Sequence, residues 1–262
     1  MSPYKDACIV ITGAGSGIGL ELVRQLYPFS KRIVAVDISL PLLEALRIEM
    51  PEIEGILEAD LSKKEGNAKI LSWLSTHWDR VDFCFANAGK AFYAPAEKQP
   101  WDEMDLLFQL NVHSPIQLGY GLQTLYPKSA LRHVITCSAI SHWAIPGYSM
   151  YASTKSALLQ WASTLWAEGK GDWLSLVFPI ATSTAFFDAA GPQVPIPTPI
   201  QSSKHVAFCM LKGAAQRKRK IYPSSLFRML MLFQRMGFFL LPLVQKIERQ
   251  KLKRWLSFSK ES

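Results

Sequence analysis

The feature that most limits the fold of this 262-residue chain is its alternation of short β-branched runs with helical patterns. "ACIVITG" leads into "IGLELVRQLY", "RIVAVD" into "PLLEALRIEM", and "EGILEADL" into a polar helical stretch through Trp73. "VDFCFANAG" precedes a long segment, Trp101 to Tyr126, that reads as one helix. "RHVITCSA", a helix from about Tyr151 to Glu168, and "WLSLVFP" continue the rhythm. Such runs are apolar on both faces, as buried parallel strands are, and the helices between them serve as crossovers. The pattern predicts an α/β fold: a Rossmann-like, doubly wound parallel sheet with helices on both faces.

After Pro179 the rhythm fails. Residues 188–203 hold Pro192, Pro195, Pro197 and Pro199 and cannot form a regular helix or central strand. They read as a surface loop placed to cover a ligand. A helix from His205 to Ala215 and a short strand in "RKIYPS" follow. Residues 1–223 are therefore expected to form one Rossmann-like domain, and 224–262 a basic, apolar, helical C-terminal extension.

Composition sets further bounds. With 49% apolar and 19% charged residues the chain can bury a sizeable core, which argues against disorder. The net charge of +8 is uneven. Residues 204–262 carry fourteen Lys/Arg against two Glu, or +12, and the remainder fifteen against nineteen, or −4. A basic tail on a weakly acidic body points to an acidic surface as its partner. Cys8, Cys84, Cys137 and Cys209 sit in apolar runs without CxxC spacing, so buried thiols in a reducing compartment are expected and a metal site is not. The N-terminal stretch lacks a long apolar leader segment, and the expected location is the cytoplasm.

The tail's longest uncharged stretch, Met236–Val244, is far shorter than the ~20 residues a bilayer span needs, and Pro242 interrupts it. Two readings stay open. A pair of interfacial helices could make peripheral membrane contact, or the tail could pack on the body or on a second subunit. The basic residues accompany no module that reads nucleic acid.

Residues 12–19, "TGAGSGIG", lie directly after a strand and before a helix. In that context Gly13 permits a tight turn, while Ser16, Gly17, Ile18 and Gly19 open a helix N-terminus whose N–H groups can approach a pyrophosphate. Asp37 ends the second strand, eighteen residues after Gly19. A carboxylate there accepts hydrogen bonds from ribose hydroxyls and repels a 2′-phosphate, which favours NAD; Lys31 and Arg32 leave NADP open.

With these features, "NAG" at 87–89, Asn111, Ser138 and the pair Tyr151/Lys155 resemble the short-chain dehydrogenase/reductase family over residues 7–184. The resemblance implies hydride transfer between a nicotinamide cofactor and an alcohol or carbonyl carbon. It assigns Asp60 and Leu61 to the adenine side, and Asn87, Ala88 and Gly89 to the cofactor wall. Pro179 and Thr184 fall near the nicotinamide, although the family's usual Pro-Gly is Pro179-Ile180 here. It makes Tyr151 the general acid/base, Ser138 the group that holds the substrate oxygen, Lys155 a contact to the ribose, and Asn111 the holder of a relay water. Tyr151 and Lys155, four apart, share a helix face, so an ammonium there is expected to lower the phenol pKa from its usual ~10.

Between Ser138 and Tyr151, "AISHWAIPGYSM" is expected to line the substrate cleft through His142, Trp143 and Tyr148. Phe92 and Tyr93 after "NAG", and Phe186 and Phe187 after Thr184, add aromatic surface. Such a cleft favours a lipophilic small molecule. The Trp-bearing helix after Tyr151 suggests a homodimer or homotetramer. Two rival readings are an NADPH-dependent carbonyl or 3-oxoacyl reductase and a non-catalytic nucleotide-binding regulator or scaffold.

Overall fold

The computed structural model describes residues 2–184, 186, 194–195, 198–235 and 241–258. Phe187, most of the Pro-rich loop and residues 236–240 of the uncharged stretch lie outside the described residues.

The strands are β1 (Ile9–Thr12), β2 (Ile33–Asp37), β3 (Gly55–Glu58), β4 (Phe83–Ala86), β5 (Arg132–Thr136) and β6 (Leu174–Val177). The later ones are β7 (Thr182–Ser183), β8 (Gln201–Ser202) and β9 (Lys220–Ile221). The helices are α1 (Gly17–Leu26), α2 (Leu40–Glu49), α3 (Lys64–His77), α4 (Trp101–Phe108), α5 (Ser114–Leu125) and α6 (Ser149–Ala167). Toward the C-terminus follow α7 (Ser203–Ala215), α8 (Ser225–Arg235) and α9 (Leu241–Phe258). The central seven-stranded sheet runs β3-β2-β1-β4-β5-β6-β9 and every pairing in it is parallel. β7 and β8 form a separate parallel pair.

Strand alternation explains the two helical layers. Ile9 and Ile11 of β1 point into one core with Leu22, Val23 and Leu26 of α1 and Met210 and Leu211 of α7. Val10 points to the other side, among Ile70 and Leu74 of α3 and Leu118 and Leu122 of α5. On that same side α6 brings Leu158, Ala162 and Leu165 against Ile135 and Leu176. Each Val, Leu, Ile or Met among them contributes about 1.5–3 kcal/mol on full burial. That outweighs the ~1 kcal/mol at stake in a helix cap, and α1 forms although Ser16 at its N-cap position makes no capping hydrogen bond. The helix start is thereby left with its first N–H groups facing the loop.

The segment Trp101 to Tyr126 is not one α-helix. Residues Gln109–His113 form a π turn between α4 and α5. Pro115 supplies the cause: it has no N–H for the carbonyl four residues back, and its ring crowds that carbonyl, which belongs to Asn111. The widened turn directs Asn111 inward, where its Oδ1 accepts from Lys90 N–H at 3.0 Å and its Nδ2 donates to Lys90 O at 2.9 Å.

The tail forms α8 and α9 after the last sheet strand. Among the described residues no helix is long and apolar enough to cross a membrane.

Candidate active site

In an open parallel sheet, ligands bind beyond the strands' C-terminal ends, where the strand order reverses. Here the reversal lies between β1 and β4, and a cavity of about 530 Å³ opens there. One wall is built by hydrogen bonds from the sheet. Thr12 Oγ1 accepts the N–H groups of Asn87 and Ala88, both at 3.1 Å, and Thr136 Oγ1 donates to Asn87 Oδ1 at 3.0 Å. The "NAG" turn is thus tied between β1 and β5. Asp37 fixes the glycine loop, its Oδ2 accepting from Gly15 N–H at 2.9 Å and its Oδ1 from Ser39 N–H at 3.0 Å.

Gly13, Ser16, Gly17, Ile18, Asp37, Asp60, Leu61, Asn87, Ala88 and Gly89 line this wall, with Pro179 and Thr184 opposite the loop. Gly17 has φ +54°, and a Cβ on it would stand 2.9 Å from Thr184 Cγ2. Only glycine gives both that left-handed backbone and that close approach. Gly19 lies behind the loop against the Gly13 carbonyl and does not line the cavity. Burial works to raise the Asp60 carboxyl pKa, but hydrogen bonds from Ser62 and Lys63 hold it below the usual range. The open helix start, the side-chain-free turn at Gly17 and the carboxylate at the end of β2 fit a dinucleotide's pyrophosphate and ribose.

Ser138, Tyr151 and Lys155 line the same cavity. Ser138 follows β5, its Oγ accepts from Ile140 N–H at 3.2 Å, and it faces the same cavity as Tyr151. Lys155, 4% exposed, donates to Thr136 O at 2.9 Å, and its Nζ stands 5.7 Å from the Tyr151 ring centroid. Asn111 lies behind the cavity, bonded to Lys90 and, at 3.2 Å, to Thr154 Oγ1 of α6. Gln99 pins the start of α6. Its Oε1 accepts from Met150 N–H at 3.1 Å and its Nε2 donates to Ala94 O at 2.6 Å.

The expected lowering of the Tyr151 pKa is corrected. Burial pushes the Tyr151 phenol up, only partly offset by the nearby Ser138 hydroxyl. The same burial pushes Lys155 down to about 8. Lys155 therefore sheds its proton before Tyr151 would ionise, and no ammonium remains to stabilise a resting phenolate.

On the second wall, Trp143, Tyr148 and Phe186 line the cavity. His142 and Tyr93, expected there, do not. His142 packs on Phe178 at 4.8 Å between centroids, and its Nε2 stands 3.3 Å from Tyr222 Oη. Tyr93 is buried beneath Tyr148, 4.7 Å between centroids. Gly147, at φ +88°, lets the chain pass over that ring, because a Cβ there would overlap it. Phe92 is half-buried and also outside the lining.

Sequence reasoning missed Leu226, Phe227 and Leu230 of α8, which complete this wall with Ile140 and Ile145. The available signal was the spacing of the tail's apolar residues on one helix face, but that pattern does not say which surface the face covers.

Comparison with known proteins gives the wider context. The family model described as short chain dehydrogenase matches residues 7–193. An oxidoreductase of Staphylococcus saprophyticus is 28% identical over 163 residues, 60% of this chain and 65% of that one. L-xylulose reductase of Bos taurus is 30% identical over 151 residues, 57% of this chain and 60% of that one. The 1,2-dihydroxy-1,2-dihydronaphthalene dehydrogenase of a Ralstonia species is 30% identical over 158 residues, covering 58% and 60%. The chain thus spans 60% to 65% of the length of these relatives. Two solved structures share the fold. A Burkholderia phymatum short-chain dehydrogenase/reductase in complex with NAD matches with a TM-score of 0.77 at 16% identity, over 88% of this chain and 93% of that one. A Sphingobium yanoikuyae short-chain dehydrogenase in complex with NADPH gives 0.74 at 24%, over 88% and 94%.

Proposed function

The chain belongs to the short-chain dehydrogenase/reductase family, and from that premise we propose that it interconverts a lipophilic secondary alcohol and its carbonyl compound using NAD(H). The observation that carries the proposal is that Ser138, Tyr151 and Lys155 line the same cavity as the glycine loop. A bound nicotinamide dinucleotide supplies hydride to the carbonyl carbon, or accepts it from the alcohol.

In the reducing direction Tyr151 gives its proton to the substrate oxygen as charge develops there, and Ser138 holds that oxygen through its hydroxyl. The Lys155 ammonium, charged below about 8, stabilises the phenolate left behind. Burial keeps the resting phenol protonated, so the proton is in place for transfer to the substrate oxygen. Asn111 we assign to positioning, since its amide is bonded to Lys90 and to Thr154 of the catalytic helix.

The choice of NAD rests on the Asp37 carboxylate in the cavity wall, which opposes a 2′-phosphate. A lipophilic substrate is supported by Ile140, Trp143, Ile145, Phe186, Phe227 and Leu230 around the reactive hydroxyls.

Fluorescence titration with NADH and NADPH, followed by turnover assays on sterol, fatty acyl and aromatic ketones, tests the reading. Tighter NADH binding and turnover of an apolar ketone are expected. Tighter NADPH binding favours the carbonyl or 3-oxoacyl reductase reading. Binding without turnover across the panel favours a regulator, and binding of neither cofactor sinks the proposal.

A further inference from the structure

Helices α8 and α9 each turn one face to the cleft and another to solvent. Phe227 and Leu230 of α8 line the cavity, and Trp255 of α9 packs edge-on against Tyr93 at 5.3 Å. Leu252 of α9 joins the same cluster around Tyr148 and Tyr151, and Gln245 Nε2 donates to Ala144 O at 3.2 Å. The outer faces differ in chemistry. On α8, Met229 and Leu232 are 46% and 54% exposed on the outer side, and Leu226, 45% exposed, stands at the border with the cavity that it also lines. On α9 the exposed positions include Lys246, Arg249 and Lys253.

Both helices border the same cleft, and an exposed apolar face on one with exposed bases on the other suits an anionic lipid surface in both respects. The charge asymmetry selects lipid over a second copy. Residues 204–262 carry +12, and a symmetric contact through this face would set each basic surface against its own kind. We propose that α8 and α9 dock the protein on an anionic bilayer, with the rim of the cleft at the lipid. An apolar substrate then passes from lipid along Leu226, Phe227 and Leu230 to Tyr151. The route rests on the lipophilic-substrate reading above; the docking does not.

Co-sedimentation of the full chain with vesicles decides the matter, using phosphatidylcholine alone and phosphatidylcholine with about 30% phosphatidylserine. The chain should pellet with the anionic vesicles and be released by high salt, since surface charges are screened within ~10 Å at 0.1 M. Arg249→Gln with Lys253→Gln should weaken partitioning by roughly thirtyfold, at about one surface charge's attraction per residue removed. Met229→Ser with Leu232→Ser should weaken it by about tenfold through lost apolar contact. Neither pair lines the cleft, so both variants should keep the wild-type NADH affinity, which also reports that they are folded.

Recovery of the wild-type chain in the supernatant with both vesicle types, or equal pelleting with both, overturns the proposal. So does a dimer in solution that the Met229→Ser/Leu232→Ser pair dissolves while vesicle binding is absent. Docking with no turnover of any apolar ketone would instead remove the substrate route and leave the docking standing.

Discussion

On its glycine-loop side the cleft is lined by backbone and small polar groups, each tied to the sheet. Thr12 holds Asn87 and Ala88, Thr136 holds Asn87, and Asp37 holds the loop at Gly15. On the other side it is lined by large apolar side chains from α8 and from the stretch between Ser138 and Tyr148. The first wall needs particular residues at particular places, because a Cβ at Gly17 would crowd Thr184 and a lost hydroxyl at Thr12 would release two N–H groups. The second wall needs only volume and apolarity, which many residue types supply. Tyr151 stands where the walls meet, and it gives the sharpest way to separate them.

Tyr151→Phe carries the largest expected effect. It removes the proton donor and leaves both walls intact, so turnover should fall ~10²–10⁴-fold while NADH affinity stays near wild type. Steady-state kinetics beside a cofactor titration checks both halves of that statement; full activity would end the acid/base assignment. The pH profile follows from burial. The phenol keeps its proton through neutral pH, and Lys155 loses its charge near about 8. Reduction consumes the phenol proton and leaves an anion that the ammonium must balance. kcat/KM for reduction should therefore hold below about 8 and decline above it, and Lys155→Met should lower the plateau and remove that inflection.

The contrast between the walls also governs what the sequence made legible. The parallel sheet was readable because β1, β2, β4 and β6 are short, mainly apolar runs buried on both faces. The glycine loop was readable because its backbone demands admit few residues. The π turn was not, although its cause, Pro115, stands in the sequence: a proline four residues after Asn111 can kink, end or widen a helix, and tertiary bonds from Lys90 select among these. His142 and Tyr93 lie in the right stretches but face the packing under the wall, a choice made by Tyr222 and Tyr148. The depth of burial that reverses the expected Tyr151 shift has no sequence signature. Long-range packing likewise brings Leu226, Phe227 and Leu230 to the cleft from far along the chain.

Asp37→Ser tests the hydrogen-bonded wall with a smaller expected change. The carboxylate faces the cavity and also holds Gly15 N–H, so its loss removes a ribose partner and loosens the loop together. A hydrogen bond to a charged group contributes ~1.5–3 kcal/mol, so NADH affinity should fall roughly ten- to hundredfold. NADPH affinity should rise, because the 2′-phosphate no longer meets an anion. Equal losses for both cofactors would show that Asp37 acts only through the loop.

The apolar wall should yield the smallest change, and α8 allows it to be isolated within one helix. Leu230 lines the cavity, whereas its neighbour Met229 is 46% exposed, about 100° away around the helix. Leu230→Ala removes apolar contact worth ~1–2 kcal/mol at about 0.8 kcal/mol per methylene, discounted for partial burial. KM for a large apolar ketone should rise about five- to thirtyfold, with kcat and NADH affinity little changed, because neither Tyr151 nor the loop is touched. A short ketone that does not reach α8 should show no rise. Met229→Ser should leave KM for any water-soluble ketone unchanged and move only vesicle binding. If Leu230→Ala altered kcat as strongly as KM, the wall would be setting the geometry at Tyr151, and the division between a positioned wall and a merely apolar one would have to be redrawn at α8.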